Sequence, residues 1–182
     1  MRSIICALSL VLLVATSAHV RPAFADASSL PIASSPFALH FLDTHTGRRL
    51  DVVYRNGKGY DQVGLTELND YLRDRRTGQI HTYDPRVFDL LHDLLTSLGR
   101  PNGEIDVICG YRTPWTNEML HAHGHHVALH SLHMQAMAID IRVPGVTTAQ
   151  LRDAALALHR GGVGYYPGEE FVHVDVGRVR RW

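Results

Sequence analysis

The sequence predicts an α+β domain, on three observations. Helical and strand-like patterns succeed one another without a regular strand–helix–strand alternation. One helix is marked by a long apolar stripe, Val87, Leu90, Leu91, Leu94, Leu95 and Leu98. Two late segments, 138–143 and 171–176, alternate with the two-residue period of half-buried strands.

The elements follow in order. Arg2 precedes an apolar run from Ile4 to Val14, and small residues lead to Ala23-Phe24-Ala25, which reads as a signal peptide over 1–25 with cleavage after Ala25. The run is too short for a confident span, so no membrane span is expected after cleavage and the expected location is periplasmic. Residues 26–36, rich in Ala, Ser and Pro, read as a flexible leader, and residues 37–182 as one domain, which is all that a chain of this length comfortably holds. Phe37–Leu42 and Leu50–Tyr54 flank a turn-like Asp43–Gly47 and predict a hairpin. Leu65, Leu68, Tyr71 and Leu72 recur at helical spacing, with Arg75-Arg76-Thr77-Gly78 as the stop. Asp84 as N-cap and Pro85 at the first helical position open the striped helix, and Gly99 closes it. Ile105–Ile108 predicts a strand and Thr113-Pro114 the start of another helix. Residues 138–143 form a strand stopped by Pro144-Gly145. A helix through Leu151, Ala154, Ala155 and Leu158 is capped near Thr147 or Thr148. Val163–Tyr166 and Phe171–Val176 then make a terminal hairpin about Pro167-Gly168.

Composition narrows the function. Acidic and basic residues balance at 18 each, so nothing points to nucleic acid or an anionic membrane surface as partner. Cys6 leaves with the signal peptide and Cys109 stays alone, so no intramolecular disulfide supports the mature fold. The 13 histidines draw attention, although a stretch such as His121, His123, His125, His126 and His130 is most simply a solvated loop. Oligomeric state is not legible.

Strand parity supplies a candidate site. Ile139, Ile141 and Val143 share one face and leave Asp140 on the other, and Val172, Val174 and Val176 likewise leave His173 and Asp175 opposite them. If those strands are neighbours, Asp140 and His173 converge. With His133 they supply three nitrogen and oxygen donors, the set a catalytic zinc ion takes while keeping one position open. The seven-residue spacing of His133 and Asp140 is odd, so a loop or bulge must separate them.

These residues also carry a resemblance. Ser131-Leu132-His133-Met134-Gln135-Ala136-Met137-Ala138-Ile139-Asp140 is similar to the S-x-H-x-x-G-x-A-x-D signature of the M15-type zinc peptidases, whose metal architecture is shared with the hedgehog signalling domain. Phe171-Val172-His173-Val174-Asp175 resembles their last-ligand segment. Thr44–Gly47, Leu72–Gly78, Gly110–Pro114 and Gly162–Pro167 resemble murein endopeptidases of the MepK type, in the same order along the chain. The resemblance implies a hedgehog/DD-peptidase-like single domain with a small antiparallel sheet carrying the site. It implies a zinc cofactor on His133, Asp140 and His173, and peptidoglycan stem peptides as partner. The signature glycine is Ala136 here, which removes no ligand.

The implied activity is hydrolysis of peptide crosslinks in the cell envelope. The alternatives are a D,D- or L,D-carboxypeptidase of the same superfamily and a noncatalytic zinc- or peptidoglycan-binding protein. Hydrolysis needs a carboxylate to take and return a proton. Glu170, three residues before His173 as in the carboxypeptidase branch, is the first candidate. Asp175 is the rival, or else an orienter of His173. Arg112 occupies a position that faces substrate in the resembling peptidases, where a guanidinium pairs with a stem-peptide carboxylate; the plain alternative is a surface arginine. Tyr111 and Trp115 are groove or core residues. Cys109 reads as a small buried residue, and His130 stands beside the signature.

Overall fold

The computed structural model describes residues 37–123 and 127–182. The predicted signal peptide, the leader, His125 and His126 lie outside the described residues.

The predicted first hairpin forms from β1 (Ala38–Asp43) and β2 (Arg49–Val53), paired antiparallel with Phe41 opposite Leu50. Its turn is held by Asp43, whose carboxylate accepts the His45 and Thr46 backbone N–H groups, and by Gly47 at φ 72°. A two-stranded ribbon of β3 (Arg55–Asn56) and β4 (Gly59–Tyr60) comes next, too short to leave a period in the sequence.

Helix α1 (Gln62–Tyr71) ends earlier than Arg75–Gly78 suggests. Those residues wrap the Asp74 carboxylate instead. Oδ1 accepts the Arg76 and Thr77 N–H groups, and Oδ2 accepts the Thr113 N–H at 2.7 Å and its hydroxyl at 2.8 Å. A charge only 1% exposed is tolerated because each oxygen is hydrogen-bonded, and these donors hold its pKa low against burial, which acts to raise it. The stretch Leu72–Gly78 is thereby fastened to Gly110–Pro114. Gly110 belongs there because a Cβ would stand 2.6 Å from the Leu72 carbonyl oxygen, which itself accepts the Tyr111 N–H.

Helix α2 (Arg86–Ser97) follows Pro85, which already has helical dihedrals, and Asp84 accepts the Arg86 N–H at 3.0 Å. Its stripe from Val87 to Leu95 is fully buried, each side chain contributing about 1.5–3 kcal/mol of transfer free energy. After β5 (Glu104–Cys109), Thr113 caps α3 (Pro114–Ala122) by accepting the Thr116 N–H. Strand β6 (Ala138–Arg142) leads to α4 (Thr148–Ala157), where Thr147 and Gln150 form a reciprocal capping box. Then come β7 (Gly162–Tyr166), β8 (Phe171–Asp175) and β9 (Arg180–Arg181).

The sheet is larger than expected and is mixed. Seven strands lie in the order β2-β1-β5-β6-β8-β7-β9, with β1/β5 and β7/β9 parallel and the remaining pairs antiparallel. A small antiparallel sheet was the expectation that the family resemblance carried. The parallel pairing of β1 with β5 is made across the whole of α1 and α2, and no local period encodes it. Apolar side chains of β1, β5, β6 and β8, including Leu39, Phe41, Ile105, Ile139, Ile141, Val172 and Val174, join α2 and α4 in one core. The polar alternates of β6 and β8 are left for the site.

Candidate metal centre

The pairing of β6 with β8 sets Asp140 directly opposite His173. Because Ile139 and Ile141 on one strand and Val172 and Val174 on the other enter the core, Asp140 and His173 emerge together on the reverse face. His133 comes from a 3₁₀ turn, Leu132–Gln135, before β6. Ser131 caps that turn by accepting the His133 N–H, and Ala136 ends it in the left-handed region at φ 50°, ψ 41°. This turn is the loop that the seven-residue spacing requires.

Three atoms converge. His133 Nε2 lies 3.2 Å from Asp140 Oδ1 and 3.1 Å from His173 Nδ1, and His173 Nδ1 lies 2.9 Å from the same Oδ1. Tetrahedral donors at zinc distances of about 2.0–2.1 Å are separated by roughly 3.3 Å, so the triangle is close to the size such an ion needs. The outer ring nitrogens fix the tautomers. His133 Nδ1 donates to the Gly110 carbonyl at 2.7 Å, and His173 Nε2 donates to Asp175 Oδ2 at 3.1 Å. Once His133 gives up its second proton, the two inner nitrogens face each other, and a carboxylate oxygen, with lone pairs. Three acceptors at such range repel unless a cation lies among them. Burial acts to lower the His133 pKa, but the Asp140 carboxylate outweighs it and pushes the imidazole up to about 10. For Asp140, burial acts upward and the two histidines hold the carboxyl well below its usual range. All three residues are at most 7% exposed. The donor set fits a borderline divalent ion such as zinc.

Asp175 is fully buried and saturated. Its oxygens accept the Gly162 and Gly177 N–H groups at 2.9 Å each, Arg180 Nη1 at 3.2 Å and Nη2 at 2.8 Å, besides His173. It has no lone pair directed at substrate and fits the orienting role, not that of a proton acceptor. Gly162 is required, because any Cβ there would collide with the carboxylate and with Arg180.

A cavity of about 480 Å³ opens over the triangle, and its walls include Arg112, His130, Tyr166, Phe171, Arg180 and Trp182. Arg112 reaches it, but not as a surface arginine. It is 7% exposed, with Nη1 on Asn117 Oδ1 at 3.1 Å and Nη2 3.9 Å from Asp140 Oδ2, while Nε has no partner among the described residues. Asp140 thus turns one oxygen to the histidines and the other toward a guanidinium. Asn117 in turn donates to the Ala128 and Leu129 carbonyls and ties Arg112 to the loop before the signature.

Glu170 is not brought to this cavity. It sits at φ 57° in the turn before β8 and lines a separate hollow with Asp106 and Arg142, whose guanidinium binds the Glu169 and Glu170 carbonyls. The E-x-x-H spacing placed it near the ligand in sequence, but the tight turn points it elsewhere. Cys109, opposite Asp140 on β5, is half-buried, and its sulfur lies within 4.8 Å of donor atoms of His133 and Asp140. His173 is the tighter third donor, at 2.9–3.2 Å from the other two. Trp115 is 61% exposed and outside the cavity, whereas Tyr111 is buried beside His81. Sequence reasoning missed Asn117, Arg180 and Trp182; among their signals, only the glycines of Gly162-Val163-Gly164 mark a place where other groups press close.

Residues 32–182 match the family described as peptidoglycan L,D-endopeptidase MepK, a group of the M15 peptidases. The chain is 42% identical over 147 residues to the probable peptidoglycan L,D-endopeptidase MepK of Haemophilus influenzae, covering 81% of this chain and 79% of that protein. It is 38% identical over 161 residues to the peptidoglycan L,D-endopeptidase MepK of Escherichia coli K12, covering 88% and 86%. The Shigella flexneri protein of that name stands at the same identity and coverage. No solved structure matches the chain.

Proposed function

The chain belongs to the MepK family of M15 peptidases, and on that premise we propose that it is a zinc-dependent murein endopeptidase. It cuts peptide crosslinks of peptidoglycan in the periplasm, at bonds of the L,D type named for its relatives. The observation that carries this reading is the convergence of His133 Nε2, His173 Nδ1 and Asp140 Oδ1 under an open cavity. These residues would hold zinc, which when bound supplies Lewis-acid polarisation of the scissile carbonyl and activation of the attacking water.

The chain's own residues do the rest. Gly110 and Asp175 hold the two imidazoles in the tautomers that present lone pairs inward. Arg112, with its Nε free and its guanidinium on the cavity wall, holds a carboxylate of the stem peptide. His130, an imidazole in place of the expected carboxylate, takes the proton of the attacking water and returns it to the leaving amine. Among the described residues, it is the ionisable side chain of the cavity wall that is neither a metal donor nor a guanidinium nor a phenol engaged by Trp182. No described helix is long and apolar enough to cross a membrane.

Digestion of purified crosslinked muropeptides by the zinc-loaded protein, with products identified by mass, tests the proposal. Monomeric peptides released from dimers are expected. Loss of a terminal residue with the crosslink intact would assign a carboxypeptidase, and zinc binding with no product would leave a binding protein.

A further inference from the structure

Trp182 is held at the cavity wall while half of it stays in solvent. Its backbone pairs with β7, Tyr165 N–H donating to the Trp182 carbonyl at 3.0 Å and Trp182 N–H to the Val163 carbonyl at 3.2 Å. The indole N–H donates to the Tyr166 hydroxyl at 2.8 Å, and the Arg180 guanidinium lies over the ring at 4.9 Å. The cross-strand partner of His173 is Gly164, and a Cβ there would stand 2.7–2.8 Å from the indole. The place that a side chain would take beside His173 is therefore filled by Trp182, whose ring centroid is 5.2 Å from that of the imidazole. Tyr166 and Phe171 stack at 4.5 Å with an interplanar angle of 16° and continue the wall. An indole fixed by three restraints yet 50% exposed keeps apolar area for an occupant that it need not be reordered to receive.

We propose that Trp182, continued by Tyr166 and Phe171, is the subsite for the aliphatic chain of the residue that flanks the scissile bond. The inference rests on the peptidase reading above. Reach selects the occupant. An extended peptide advances about 3.3–3.6 Å per residue, so with the scissile carbonyl at the triangle only an adjacent residue can lie on a ring 5.2 Å from His173. A sugar joined several residues away cannot. A peptide crosslink leaves from a side-chain amine, so one residue at the bond is a diamino acid whose methylene chain offers the flat apolar contact that an indole face accepts. The Arg180 guanidinium, itself paired with Asp175, lies over the indole and holds the ring whose exposed half offers the apolar contact.

The test uses the zinc-loaded chain carrying Trp115→Phe, in which Trp182 is the sole tryptophan of the two in the sequence. Stopped-flow emission is followed on mixing with a sugar-free crosslinked peptide, alongside steady-state kinetics of Trp182→Ala and Trp182→Phe. The emission should change on binding, saturate with the KM, and return as substrate is consumed. Trp182→Ala should raise KM about fivefold to tenfold with zinc content and kcat nearly unchanged, and Trp182→Phe should restore most of the affinity. An unaltered KM in zinc-replete Trp182→Ala, or emission indifferent to turnover, overturns the subsite. An emission change that appears only with disaccharide-bearing peptide overturns the aliphatic assignment. A chain that neither binds nor cleaves either peptide removes the peptidase reading, and the subsite with it.

Discussion

Replacing Asp175 by asparagine keeps its shape and removes its charge, and the hydrogen-bond geometry around it fixes the consequences. Oδ1 accepts Gly162 N, Gly177 N and Arg180 Nη1, whereas Oδ2 accepts Arg180 Nη2 and His173 Nε2. An amide has one oxygen, and the three-donor side claims it. Its NH₂ group then faces two donors. Two charge-assisted hydrogen bonds are lost at about 1.5–3 kcal/mol each, so a destabilisation of roughly 3–6 kcal/mol is expected. The more informative loss is at His173. With a donor opposite Nε2, the imidazole moves its proton to Nδ1, the atom that faces His133 and Asp140, and the metal must displace it. Zinc affinity should fall about 10- to 100-fold. Competition against a chromophoric chelator gives the affinity, and thermal melts with and without zinc give the stability. If Asp175→Asn binds zinc as the wild type does yet is inactive, then Asp175 takes part in proton transfer and the tautomer argument fails.

Three further outcomes are expected. In the metal-free chain, the His133 pKa is about 10 against an ordinary 6.5, so its contribution to stability is complete below about pH 6.5 and is lost as pH rises through about 10. Zinc must displace that proton, so apparent affinity should climb about tenfold per pH unit across the same window, checked by chelator competition at several pH values. Arg112→Ala should lower kcat/KM and, because the guanidinium is buried against Asn117, also lower the melting temperature by about 5–10 °C; an unchanged melt would contradict that burial. Glu170→Gln should keep zinc and most activity, while His130→Ala keeps zinc and loses about 10²–10⁴-fold in kcat; the reverse pattern would return the proton-transfer role to Glu170.

Much of the site is written in local periods. The alternation of Ile139, Asp140 and Ile141 and of Val172, His173 and Val174 already separates core from site on each strand, and the odd spacing from His133 already demands the intervening turn. The helix start at Thr113-Pro114 and a cap near Thr147 or Thr148 were equally legible, because a side-chain oxygen three residues before an open N–H is a local event; the capping residues are Thr113 and Thr147. Arg112 was half legible. Its motif marked it, but burial depends on Asn117 and on the loop that Asn117 holds, which are set by packing.

The sequence by itself marked His133, Asp140 and His173 as candidate metal donors, the strand face that Asp140 and His173 leave by, and the starts of the helices at Thr113-Pro114 and near Thr147. Only the tertiary structure decided that β6 and β8 are neighbours in register, that β1 joins β5 in parallel, that Glu170 opens into a different hollow, and that Trp182 fills the space left by Gly164. The reason is physical. Periodicity and capping are short-range consequences of backbone geometry. Strand order, the aim of a residue in a tight turn, and the filling of a gap opposite a glycine depend on groups far apart in the chain, whose contacts are chosen by the packing of the whole core.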